Sequence, residues 1–182
     1  MTDEELMRAY AEGDMEAFEA LYQRHKGRIY GFLMKKLKNQ TEAEEVFQTI
    51  FSKLHIARKK YRQDIPFLPW VFTIARNALV DHIRKRDAYQ KHVTTSELAV
   101  ETYAERAESE PAGQFEITGL SSLTESQRQA LDYRFNQGLS FAEIAEEMQT
   151  SADNSRQIIS RAIRKLRKLM VGKEIDHEKN YK

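Results

Sequence analysis

The sequence predicts an all-α chain: two small helical domains joined by a flexible linker, the second containing a helix-turn-helix. Three observations lead there. Seven Gly and three Pro in 182 residues are few for a turn-rich β fold and leave helices uninterrupted. Apolar residues recur near the helical period before residue 86 and again after 122. Between them, over 87–121, Ser, Thr, Glu and Ala dominate, Pro111 and Gly113 enter, and the period is lost.

From Asp14, the residues Phe18, Leu21, Tyr22, Ile29, Phe32, Leu33 and Leu37 form one apolar stripe, which stops at Asn39-Gln40. Thr41-Glu42-Ala43-Glu44 matches a capping box, whose hydroxyl and carboxylate satisfy the exposed amides of a helix start. The helix that follows puts Val46, Phe47, Ile50, Phe51 and Leu54 on one face and Glu45, Gln48 and Ser52 on the other. His55 to Pro66 breaks the pattern. Pro69 suits a first helical position, and the helix from Trp70 turns Val71, Ile74, Ala75, Ala78, Leu79 and Ile83 inward before closing on Arg84-Lys85-Arg86. In the linker a short helix is expected near 97–107.

Thr124-Glu125-Ser126-Gln127 is a further capping box, leading to Ala130, Leu131 and Phe135, with Gly138 placed to end that helix. Ser140-Phe141-Ala142-Glu143 caps again, with Ile144, Ala145 and Met148 inward. After a turn at 149–152, a long helix runs from about Asp153 to Met170 with Gly172 expected to end it, and Ile158, Ile159, Ala162, Ile163, Leu166, Leu169 and Met170 form its apolar face. The domain boundaries are therefore 1–88, a linker over 89–121, 122–172, and a polar tail over 173–182.

Composition removes several classes of function. The chain has no cysteine, which excludes disulfides, thiol nucleophiles and Cys-ligated zinc or iron–sulfur centres. Its five histidines are scattered without metal-ligand spacing, so no metal site and no cofactor is expected. The start, Met1-Thr-Asp-Glu-Glu, is acidic and unlike a secretory signal. No stretch approaches the ~20 apolar residues of a membrane helix, and a reduced cytoplasmic compartment is expected. The formal net charge of +1 conceals an asymmetry: residues 1–86 carry +4, 87–121 carry −5 and 122–182 carry +2. Two mildly basic ends flank an acidic middle.

Two segments carry binding chemistry. Leu139–Arg167 has the form of a helix-turn-helix, whose second helix enters the major groove, where base edges present a readable donor and acceptor code. Asn154, Ser155, Arg156, Gln157 and Ser160 occupy its first turns. Arg161, Arg164, Lys165, Arg167 and Lys168 follow, with no acid from Asn154 to Met170, and suit phosphates. A solvated bundle face is the alternative. The second segment couples Arg58, Lys59, Lys60, Tyr61 and Arg62 with Phe67, Trp70, Phe72, Arg76 and Asn77, the cation and aromatic mixture of single-strand binding. On pattern alone, Trp70 and Phe72 read better as core.

These residues resemble a known family. Ala43-Glu44-Glu45-Val46-Phe47-Gln48-Thr49-Ile50-Phe51 is similar to the polymerase-binding helix of the extracytoplasmic-function (ECF) sigma factors of the sigma-70 family. Phe67-Leu68-Pro69-Trp70, then Ile74-Ala75-Arg76-Asn77 and Asp81-His82-Ile83-Arg84, resembles their promoter-melting helix, and Leu139–Arg167 their second DNA-binding module. The resemblance implies a dissociable subunit that directs bacterial core RNA polymerase to promoters, acting in the cytoplasm at the nucleoid and having no active site of its own. It assigns Glu45, Gln48 and Ser52 to polymerase. Arg58, Lys59, Lys60, Tyr61, Arg62, Trp70, Arg76, Asn77 and Arg84 fall to melted minus-10 DNA. Asn154, Ser155, Arg156, Gln157, Ser160, Arg161 and Arg164 fall to the minus-35 duplex. Ser155 stands where the family usually carries an inward-packing Val. The acidic linker would follow the RNA channel of polymerase. An anti-sigma factor is a further partner the resemblance implies, and the sequence identifies none.

Two other classes compete. A stand-alone helix-turn-helix regulator leaves 43–51 and 67–84 unexplained. An enzyme lacks a motif: Asp81 and His82 are adjacent on a helix and point ~100° apart, and the chain has neither a Gly-rich phosphate loop nor a nucleophile motif.

Overall fold

A computed structural model describes the backbone of residues 1–93 and 120–179, and the side chains of 1–90 and 121–170. The short helix expected near 97–107 and most of the acidic linker lie outside the described residues.

The N-terminal unit consists of α1 (Asp3–Glu12), α2 (Met15–Leu37), α3 (Gln40–Ala57), a 3-10 turn at Arg58–Lys60, and α4 (Phe67–Val93). Helix α1 is an addition to the sequence reading. Thr2 caps it reciprocally with Glu5, and Gly13 ends it at φ 111°. Asp14 then caps α2 by accepting from the amides of Glu16 and Ala17. The cap of α3 is Asn39, which accepts from the Glu42 amide, and not the expected Thr41. An Asx side chain two residues earlier accepts from the Glu42 amide and starts the helix before Thr41 can cap it. Helix α4 begins three residues before Trp70, because the Glu4 carboxylate of α1 accepts from the Phe67 amide at 3.0 Å and supplies a cap from outside the helix. It also runs past Arg86, into residues assigned to the linker.

The apolar stripes converge on one core. Leu6, Met7 and Tyr10 of α1, Leu21, Ile29 and Leu33 of α2, Val46, Ile50 and Leu54 of α3, and Phe67, Val71, Phe72 and Ala75 of α4 are buried together. At about 1.5–3 kcal/mol for each large side chain, this packing holds helices whose intrinsic propensity is modest. Polar ties reinforce it: Asp3 lies 2.7 Å from His25 and 2.9 Å from Arg24. Burial alone would raise the Asp3 carboxyl, but His25 and Arg24 outweigh it and hold it below its ordinary value.

The C-terminal unit consists of a 3-10 turn at Leu120–Ser122, then α5 (Glu125–Phe135), α6 (Phe141–Glu147) and α7 (Ala152–Lys179). Both expected capping boxes form, Thr124 with Gln127 and Ser140 with Glu143. Gly138, at φ 71°, makes the left-handed turn between α5 and α6. Leu123, Ala130, Leu131, Phe135, Ile144, Ile159, Ala162 and Leu166 form its core. Gly172 does not end α7, which continues to Lys179. One interior Gly costs a helix only ~1 kcal/mol, less than the helical turns on either side sustain. The polar tail is thus helical through Lys179, and 180–182 lie outside the described residues.

Candidate nucleic-acid and polymerase surfaces

On α3, Ala43, Val46, Ile50 and Leu54 are buried, while Glu45, Gln48 and Ser52 are exposed. Phe47 and Phe51, expected to be fully inward, are only half-buried. They join an aromatic ridge with α2: the Phe47 and Phe51 rings are 4.9 Å apart, Tyr22 meets Phe51 at 5.0 Å, and Tyr30 meets Phe47 at 5.9 Å. Such tilted and edge-on pairs are favoured by the ring quadrupole. The ridge therefore borders the polar face carrying Glu45 and Gln48. Helical periodicity merges these rings with the core, because it says nothing about how far α2 covers them.

Beyond α3, Lys59 and Lys60 are exposed, while Arg58 is half-buried, donates to the His55 carbonyl at 2.6 Å and stands over the Tyr10 ring. Tyr61 is half-buried and donates its hydroxyl to the Ile65 carbonyl at 2.6 Å. Burial pushes its phenol far above its ordinary pKa, so it remains a donor. The Trp70 ring meets Tyr61 edge-on at 4.9 Å and Phe67 at 6.2 Å. Trp70 and Tyr61 thus support each other as a wall of the loop, and Phe72 is fully buried, the core role that pattern alone favoured for it. Arg62 is exposed and grips Asp64 through two hydrogen bonds, at 2.9 and 3.1 Å.

On α4, Asn77 and Arg84 are exposed. Arg76 is placed differently: its guanidinium lies 5.3–5.6 Å from the ring centroids of Phe32, Phe72 and Phe135 and donates to the Arg134 carbonyl at 2.7 Å. It faces the C-terminal unit. Burial, with Arg134 nearby, lowers its pKa to about 9. Helix α4 is tied back to α3 by Lys53 with Asp81 at 3.0 Å and by Glu42 with His82 and Arg86, both at 3.3 Å.

In the C-terminal unit, Ser151 accepts from the Asn154 amide at 3.1 Å and caps α7. The turn before it passes through Gln149 at φ 51°. Asn154, Arg156, Gln157, Ser160, Arg161 and Arg164 are all exposed along α7, opposite buried Ile159, Ala162 and Leu166. Arg156 stands over the Phe141 ring at 5.1 Å, a ring that Arg134 also covers at 4.2 Å. Ser155 is a correction to the sequence reading. It is 0% exposed and donates its hydroxyl to the Ser151 carbonyl at 3.1 Å, so it packs inward and presents nothing to a groove. Among the described residues no cluster of acids and histidines could hold a metal ion, and no helix is long and apolar enough to cross a membrane.

Comparison with known proteins matches two stretches of the chain. Residues 21–89 match the family model for Sigma-70 region 2, and residues 119–168 match that for Sigma-70, region 4. The chain is 29% identical over 171 residues to the RNA polymerase sigma factor CarQ of Myxococcus xanthus, covering 93% of this chain and 98% of that protein. It is 31% identical over 156 residues to the ECF RNA polymerase sigma factor SigM of Bacillus subtilis, covering 83% and 93%. Among solved structures, one of CnrH in complex with the cytosolic domain of CnrY is similar at a TM-score of 0.48 and 23% identity, over 93% of this chain and 97% of that one. With both conserved regions matched in order, and a curated relative above 30% identity along most of its length, the chain belongs to the ECF RNA polymerase sigma factors, which bind RNA polymerase and initiate transcription at specific promoters.

Proposed function

We propose that this chain reads a two-part promoter with its two units. Helix α7 enters the major groove of the minus-35 duplex, with Asn154, Arg156, Gln157 and Ser160 at base edges and Arg161 and Arg164 on phosphates. The N-terminal unit, residues 1–88 by function, opens and reads the minus-10 element. Lys59, Lys60 and Arg62 attract the strand, Tyr61 and Trp70 wall the loop that receives an extruded base, and Asn77 and Arg84 follow the backbone. Extrusion costs a few kcal/mol of stacking, which a shaped loop beside cations offsets. Glu45, Gln48 and Ser52 dock on core polymerase, which performs the nucleotidyl transfer. Residues 89–121 span the two units within the complex, which assembles at the nucleoid.

The observation that carries this reading is the exposed stripe of α7, six polar or basic side chains without an acid among them, on a helix whose N-terminus is presented by a capped turn. Run-off transcription tests it, with purified bacterial core polymerase and a library of promoter fragments, with and without this protein. Protein-dependent transcripts that share two spaced upstream elements are expected. Duplex binding without core binding would overturn the reading in favour of a stand-alone helix-turn-helix regulator.

A further inference from the structure

Helix α1 lies ahead of the residues 21–89 that match Sigma-70 region 2, yet it holds both ends of the loop that carries Tyr61. At the far end, α4 begins without a cap of its own. Pro66, which precedes Phe67, has no side-chain oxygen, and Pro69 in the first turn has no amide. The Glu4 carboxylate fills the gap, accepting from the Phe67 amide at 3.0 Å across 63 positions of sequence, where a negative charge also suits the helix dipole. At the near end, the hydroxyl of buried Tyr10 lies 2.5 Å from His55 Nδ1 in the last turn of α3, and Arg58 stands over the Tyr10 ring at 5.8 Å. Between the two ends, burial first, then the charges of Glu4, Asp3 and Asp64, raise the Tyr61 phenol and keep it a donor to the Ile65 carbonyl. Helix α1 is itself fixed, by Leu6 and Met7 in the core and by Asp3 on His25 and Arg24.

We propose that Glu4 is a positioning residue for promoter opening: by starting α4 at Phe67, it sets the Tyr61 and Trp70 wall that receives the extruded base. The inference rests on the promoter reading proposed above and gives α1 a part in it. Phe67 is buried at the root of the wall, its ring 6.4 Å from Tyr61 and 6.2 Å from Trp70. Trp70 follows three residues later, so the turn that Glu4 closes is the turn that aims the indole edge-on at Tyr61. The Trp70 amide reaches the Pro66 carbonyl only at 3.4 Å, a long bond that gives this first turn little hold of its own. Without Glu4 the Phe67 amide is orphaned, the turn frays, and Trp70 loses its fixed angle. A base that leaves the duplex stack recovers energy on a surface already in place. A loosened wall therefore weakens opening without removing any group that meets DNA.

Trp70 is the single tryptophan of the chain, so its emission reports on the wall directly. Glu4→Ala removes the acceptor, and Glu4→Gln keeps an oxygen for the Phe67 amide. Glu4 is half-exposed, and its loss leaves the core of α1 intact. In the free protein, the emission of Glu4→Ala is expected to shift to the red and that of Glu4→Gln to stay in place. Opening is then read with core polymerase on a promoter fragment taken from the run-off selection, by the fluorescence of 2-aminopurine beside the extruded position. A matched fragment carries an abasic site at that position. Glu4→Ala is expected to open the intact fragment about tenfold less, the scale of one lost cap, and Glu4→Gln to recover most of the loss. On the abasic fragment, which has no base to seat, Glu4→Ala and the unsubstituted chain should open alike. Affinities for core polymerase and for isolated minus-35 duplex should be unchanged. Equal losses on both fragments would make Glu4 a residue of general stability and overturn the proposal, as would emission and opening in Glu4→Ala like those of the unsubstituted chain. Failure of the unsubstituted chain to open any fragment would instead overturn the promoter reading, and the role of Glu4 in opening with it.

Discussion

Asp64, in the loop that follows α3, accepts from Arg167 of α7 at 2.7 Å and from Arg62 at 2.9 Å. One carboxylate thus links a loop assigned to melted DNA with a helix assigned to duplex DNA, across 103 positions of sequence. A second carboxylate, Glu143, joins the units through Lys36.

Both carboxylates make the stability of the folded chain dependent on pH. The hydrogen bond from Arg167 holds Asp64 below its ordinary 3.8. The backbone and hydroxyl of Ser140, then Lys36, hold Glu143 down to about 2 from 4.5. A depressed carboxylate contributes stability that is present above its unfolded value and lost as pH falls through its folded value. The urea midpoint should therefore be constant above pH ~5 and fall as pH falls from about 4.5 toward 2. In Glu143→Gln the fall should start from a lower midpoint and be shallower, and an equally steep transition would remove Glu143 from it.

Two glycines should respond in opposite directions. Gly27 is exposed in mid-α2, with open space where a Cβ would stand, and Gly27→Ala should stabilise by about 0.5–1 kcal/mol. Gly138 combines φ 71° with the approach to Phe32, so Gly138→Ala should destabilise by ~1 kcal/mol or more. Urea midpoints at unchanged slope measure both.

On α7, Arg156→Ala should cost about 1–3 kcal/mol at one minus-35 position if the guanidinium leaves Phe141 for a bidentate base contact. Arg164→Ala should weaken all sequences equally and flatten the salt dependence by about one unit of slope. Ser155→Ala, at a buried site, should leave the preferred sequence untouched. Its removal costs one local hydrogen bond, ~1 kcal/mol. Binding to a set of minus-35 duplex variants at two salt concentrations separates the three.

For polymerase, Glu45→Arg with Gln48→Ala should lower core affinity by about tenfold or more, ~1.4 kcal/mol, with helicity and melting temperature unchanged because both side chains are exposed. Tyr22→Ala should lower it too if the adjacent aromatic ridge is part of the contact. Co-sedimentation with core polymerase reads each loss against circular dichroism.

Much of this was legible because it is local. The Thr124 and Ser140 caps, the outward turn of Glu45, Gln48 and Ser52, and the polar stripe of α7 follow from hydrogen bonds and periodicities a few residues long. Where reading failed, a competing partner intervened. Asn39 capped α3 two residues ahead of Thr41, and Glu4, some sixty residues away, started α4 early. Ser155 is polar and stands in the first turns of a recognition helix, which made it a plausible groove contact. Only its register on α7 against Ile159 and Ala162 turned it inward, where its hydroxyl is satisfied by the turn before it.

What the sequence determined by itself was therefore the course of every helix after α1, the caps of α5 and α6 and the order of two regions that mark an ECF sigma factor, since each depends on neighbours along the chain. Tertiary structure alone decided what Arg76, Asp64 and Arg167 do. Arg76 on a helix face is a DNA contact or an interface residue according to what stands opposite. The Phe135 ring and the Arg134 carbonyl, which accepts from Arg76 across 58 positions of sequence, come there only when the two units pack.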